Sequence, residues 1–152
     1  MIAAIPIALA LAAAPVDDRK PVLAAVDAFM EAIRSGDRAA FDRVLHPDGV
    51  AFVYGYVEGR HGLRLRPNKQ TVEGIAGSTS RFVERYWKPK VRVHRDIAHF
   101  WAPYSFDIDG KRSHCGVDSF SLVRVEGKWM VTNASWTVEP PERCAALGEP
   151  RK

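Results

Sequence analysis

Asp118 interrupts an otherwise mostly apolar stretch, Cys115 to Val125, in the C-terminal half of this 152-residue chain. A lone carboxylate on an apolar strand face either finds a polar partner in the fold or does chemistry. The two-residue signals Asp109-Gly110 and Glu126-Gly127 predict hairpins that place Ile108 opposite Lys111 and Val125 opposite Lys128. Alternation then puts Ile97, His99, Trp101, Asp118, Phe120, Leu122, Trp129, Val131, Asn133 and Ser135 on one face. Phe100, Tyr104, Phe106, Val117, Val123, Met130, Ala134 and Trp136 fall on the other. In this register Asp118 lies opposite Trp101 and Ser135, and His99 is its diagonal neighbour, about 7–8 Å away. A carboxylate beside an imidazole among aromatics can transfer protons, with Asp118 as base and His99 or Tyr54 assisting. Trp101, Phe120, Asn133, Ser135 and Tyr54 are the candidate ligand contacts. The same pattern suits a buried Asp satisfied by backbone or Asn133, with a His that fills space. A bulge at Pro103 would exchange His99 and Trp101 for Phe100 and leave Asp118 in place.

Other chemistry has less support. Cys115 adjoins His114, but neighbouring strand residues point to opposite faces, which argues against a nucleophilic dyad. The five histidines lack metal-ligand spacing, and there is no nucleophile elbow or phosphate-binding glycine loop. No metal or cofactor is therefore expected. In the assumed register Cys115 faces Val138, and Pro140-Pro141 stops the last strand, so the tail can return Cys144 to Cys115. A disulfide there would close a loop of about 30 residues; two reduced cysteines are the alternative.

The elements that position these residues are readable in turn. Val22, Val26, Phe29, Met30 and Ile33 recur at helical spacing, with Asp18 as a cap and Gly36 as a stop. Asp37 caps a shorter helix that ends at His46-Pro47. Gly49 to Val57 alternates as a strand, with Phe52, Tyr54 and Tyr56 on one side. A turn at 58–62 and a short strand, Leu63–Arg66, follow. Asn68 is expected to cap a third helix reaching Ile75. Phe82 to Trp87 is extended, Lys88-Pro89 interrupts it, and one strand region runs from Val91 through Ile97 to Ile108.

Helices first and a meander of long strands afterwards indicate an α+β domain. Hydrophobic residues at 47% and charged residues at 26% are globular averages. Ten Lys and Arg against Glu73 and Glu84 between Arg60 and Arg95 suit a solvated basic face or an anionic partner. No nucleic-acid motif accompanies them. Met1 to Val16 is uncharged and apolar, too short to span a membrane, and reads as a secretory signal over 1–14. The organisation expected is that signal, a domain over 18–139 and a tail over 140–152, in a periplasmic or secreted protein.

Asp18–Ile33, Gly36-Asp37, Pro47-Asp48-Gly49, Trp101-Ala102-Pro103-Tyr104, His114-Cys115-Gly116-Val117-Asp118 and Gly127-Lys128-Trp129-Met130-Val131 together resemble an exported bacterial branch of the nuclear-transport-factor-2-like superfamily. That resemblance implies a cone: a curved antiparallel sheet with N-terminal helices packed on its concave face. It also implies that Trp129 and Val131 point into the cone, making the Asp118 face concave. The superfamily includes isomerases, dehydratases, polyketide cyclases and binding proteins, so the fold does not select a reaction. Expected is a binder of a small apolar or mixed-polarity ligand. The alternatives are a cofactor-free isomerase- or dehydratase-like enzyme and a structural or partner-binding subunit. Phe100, Tyr104, Met130 and Trp136, if outward, would form an apolar patch suited to a homodimer.

Overall fold

The computed structural model describes residues 18–57 and 60–150; the expected signal segment lies outside them. Helix α1 (Arg19–Ser35) buries Val22, Val26, Phe29, Met30 and Ile33, the stripe read from the sequence. Its stop is Gly36, left-handed at φ 66°, whose N–H bonds Ala32 O. Asp18 does not cap: it is helical itself and its side chain makes no capping bond. Asp37 does cap α2 (Arg38–Val44), accepting from Ala39 N at 2.9 Å. Helix α3 (Asn68–Ala76) is capped by position from Pro67, and Asn68 has a different task. Its buried amide donates to His46 O and Thr132 O, tying the loop after α2 to the sheet.

Seven strands form one curved, unclosed sheet in the order β2-β1-β7-β6-β5-β3, with β4 also on β5. They are β1 (Val50–Val57), β2 (Arg60–Pro67), β3 (Phe82–Tyr86), β4 (Lys90–His94), β5 (Ile97–Ile108), β6 (Lys111–Val125) and β7 (Lys128–Val138). The sheet is mixed rather than wholly antiparallel, because β1 runs parallel to β7. The expected single strand from Val91 to Ile108 is a hairpin instead: β4 folds back on β5 through Arg95-Asp96, with Arg95 at φ 53°. Both predicted hairpin registers are present, Ile108 facing Lys111 and Val125 facing Lys128.

The helices lie on the concave face around an aromatic core. Phe29 meets Phe41 and Phe120 edge-on, and Phe120 stacks on Phe100 at 5.3 Å. On the opposite face of β6, Cys115 and Cys144 form a disulfide with Cα atoms 5.6 Å apart. That bond holds a 3-10 helix, Pro141–Leu147, against the sheet. Arg112 adds a bidentate pair with Glu149 while also bonding Asp107, and Trp87 Nε1 donates to Leu147 O. Among the described residues no helix is long and apolar enough to cross a membrane.

Candidate functional site

Two single-residue bulges decide which side chains face the helices. In the β5–β6 ladder Asp107 faces Arg112 but Phe106 faces His114, leaving Ser113 unmatched. In β6–β7 Leu122 faces Val131 but Ser121 faces Asn133, leaving Thr132 unmatched. Thr132 Oγ1 closes that bulge by donating to Ser121 O at 3.0 Å. Each extra residue shifts register by one, and a one-residue shift exchanges faces. Asp118 therefore faces Ala102 and Trp136, not Trp101 and Ser135.

The consequences for the sequence-derived site are specific. Asp118 and Phe120 remain inside, as do Leu122, Trp129 and Val131. His99 and Trp101 turn to the outer face, where His99 Nε2 lies 3.0 Å from Ser119 Oγ and Trp101 is 45% exposed. His99 is thus no partner of Asp118. Asn133 is also outside, its Oδ1 accepting from Val50 N, and Ser135 faces Ser119 on the same side. Tyr54 is 51% exposed and packs on His61. Phe100, Tyr104 and Trp136, expected outside, point inward, so only Met130 of the anticipated outer patch remains there, half-buried. The exchange resembles the one considered for Pro103, but the extra residue is Ser113 across the ladder.

Between the helices and the inner sheet face lies a cavity of about 510 Å³. Phe29 and Ile33 of α1, Thr71 and Ile75 of α3, and Phe82, Phe106, Phe120 and Trp136 of the sheet supply its largely apolar wall. Ala51 and Val53 of β1 line it as well, and Tyr56 and Arg66 of the β1–β2 hairpin border it. Alternation along β1 is broken at Gly55, φ 148°, so that Tyr56 lines the cavity and Tyr54 does not.

Besides the exposed Tyr56 and Arg66 at its border, four buried or half-buried titratable groups face this space: Glu84, Tyr104, His114 and Asp118. Phe82, Glu84 and Tyr86 alternate along β3, which turns the Glu84 carboxylate inward between two rings. Asp118 is 1% exposed and shares a hydrogen bond with Glu84. Its Oδ2 meets no donor among the described residues. Burial pushes Glu84 up to about 7, even against the Asp118 hydrogen bond, which favours its charged form. Burial, reinforced by the charge of Glu84 and their hydrogen bond, raises Asp118 well above the usual carboxylate range. Asp118, the more deeply buried, keeps its proton and donates it to Glu84.

The neighbours are held neutral. The Tyr104 hydroxyl donates to Thr137 O at 2.8 Å, and burial, then the charges of Asp118, Glu84 and Glu139, raises its pKa further. His114 stacks on Phe106 at 4.9 Å, and burial with the nearby Arg112 lowers it to about 4. The site is thus two carboxyls sharing a proton, with a neutral imidazole and a phenol beside them, in an apolar chamber. Such a pair can donate to one ligand atom while accepting from another. Sequence reasoning missed Glu84, and the signal that marks it is the Phe82-Glu84-Tyr86 alternation. His114 shares the face of Asp118 by plain alternation along β6.

No family model matches the chain, and no curated protein matches it. Solved structures do. An NTF2-like protein from Cytophaga hutchinsonii superposes with a TM-score of 0.69 at 12% identity, covering 82% of this chain and all of that one. The fold is that of the nuclear-transport-factor-2-like superfamily. An NTF2-like protein of unknown function from Shewanella baltica gives 0.62 at 16% identity, over 85% of this chain and 99% of that one. An NTF2-like superfamily protein from Salmonella enterica gives 0.63 at 12%, over 88% and 96%. Identities this low speak to the NTF2-like fold and leave the reaction open.

Proposed function

We propose that the protein binds a small, largely apolar molecule in the concave cavity, with one polar group of that molecule engaged by Glu84 and Asp118. The observation that carries this reading is the carboxyl pair in an apolar chamber of about 510 Å³. That volume is ordinary for a small-molecule site, and a few polar groups among aromatics are its usual make-up. A purely structural subunit would fill this space with side chains. The natural compartment proposed is periplasmic or secreted, a reading supported by the Cys115–Cys144 disulfide. Fractionation of the native cells tests it, and a cytoplasmic, full-length product would reject it.

Ligand binding is tested by titrating 2-acetylnaphthalene, a neutral bicycle with one carbonyl, and following tryptophan fluorescence. Saturable binding that Ile75→Trp abolishes by filling the cavity is expected; absence of saturable binding by the folded protein refutes the proposal. The shared proton favours a second reading, cofactor-free proton transfer. Glu84 would take a proton from carbon next to a carbonyl while Asp118 turns its O–H to the carbonyl oxygen. Proton NMR in D2O reads this out as loss of the probe's acetyl methyl signal. Glu84→Gln should stop that exchange and leave binding in place.

A further inference from the structure

We propose that the ligand is an amphipathic monoanion, held with its negative group at Arg66 and its uncharged end against Asp118. This rests on the cavity being a binding site. Arg66 stands opposite Ala51 on the β1–β2 ladder, and directly paired residues send their side chains to the same face. Ala51 is buried and lines the cavity, so Arg66 projects over the same space, at its exposed rim. Arg66 makes no ion pair among the described residues, whereas Arg85, Arg112 and Arg124 each hold a carboxylate.

The far end has the opposite character. Glu84 and Asp118 already crowd two carboxyl groups into the buried interior, and a third carboxylate there would be repelled and desolvated. An uncharged acceptor oxygen is welcome, because the pair holds a proton that Asp118 can turn from Glu84 to the ligand. Between the ends, Phe29, Phe82, Phe106 and Phe120 offer contact only to an apolar body. Charge and burial thus order one molecule along the cavity: anion at the rim, apolar middle, neutral acceptor at the floor.

Matched probes test the order. For the full chain, 6-acetyl-2-naphthoate should bind about tenfold more tightly than 2-acetylnaphthalene, the factor expected of one charge-assisted contact at a partly wet rim. Arg66→Gln should erase that preference, read as the ratio of the two affinities, and salt at about 0.5 M should shrink it in the wild type. Equal affinities for the two probes, or a preference that survives Arg66→Gln, would overturn the assignment of Arg66 and leave the cavity reading standing. If neither probe binds the folded protein, both readings fail together.

Discussion

Glu84→Gln should make the protein more stable at alkaline pH, and by an amount that grows with pH. The folded chain holds the Glu84 proton up to about 7, against an ordinary value of 4.5. Between those values the native state binds more protons than the unfolded state, so this group's contribution falls as pH rises. It is fully present below about pH 4.5 and lost once pH passes through 7. At ~1.4 kcal/mol per pH unit, deprotonating Glu84 costs about 3 kcal/mol of stability. His114 acts in the reverse sense, since its folded value of about 4 lies below the ordinary 6.5 and stability is regained as pH rises across that interval. The two oppose each other between about pH 4.5 and 6.5, so the difference between variant and wild type is the quantity to measure. Urea unfolding followed by tryptophan fluorescence at about pH 4.5, 6, 7 and 8.5 gives it directly. Glu84→Gln keeps an acceptor for Asp118 and removes the charge, so its stability relative to wild type should rise by about 3 kcal/mol across the series. A difference flat to within about 0.5 kcal/mol would mean that the carboxyls do not share a proton as described.

Three other outcomes are expected. Replacing Cys115 and Cys144 together by Ser should cost about 3–4 kcal/mol, the loop-closure value for a bond spanning 29 residues, read as a fall in Tm; an unchanged Tm would refute it. Gly49→Ala should destabilise by at least about 2 kcal/mol, since a Cβ there would sit 1.7 Å from Thr132 O and 2.3 Å from the Asn68 amide; urea titration checks this, and wild-type stability rejects it. A homodimer, if it uses the outer face of β5 and β6, must cover Ile97 (59% exposed) and Trp101; light scattering should give twice the monomer mass for wild type and the monomer for Trp101→Glu, and a wild-type monomer would end the idea.

Local signals carried most of the fold. The stripe on α1, the Asp37 cap, the Asp109-Gly110 and Glu126-Gly127 turns and the two cysteines each depend on neighbours a few residues apart, or on a register counted from a turn. The site was less legible because it depends on Ser113 and Thr132, two unmatched residues with no compositional mark. Each reversed one strand relative to β6, which is why Asp118 and Phe120 stayed inside while His99, Trp101, Asn133 and Ser135 did not. Glu84 was hidden for another reason. It is an isolated acid in a strongly basic stretch, and only its position between Phe82 and Tyr86 marks it as inward. The parallel pairing of β1 with β7 has no local signature.

That pairing also sets an order of events. Ala51 meets Ala134, and Val50 N reaches Asn133 Oδ1 across 83 residues of chain. Contacts so distant in sequence carry a large loop-closure entropy and form slowly. The β4–β5–β6–β7 meander can nucleate alone through its tight turns, whereas the β1–β2 hairpin joins the sheet only through β7. One wall of the cavity, with Ala51, Val53 and Arg66, is therefore absent until the last strand has been made and docked. A ligand that touches both walls would bind only after that step, and would slow the detachment of β1 from β7 more than the opening of any hairpin in the meander.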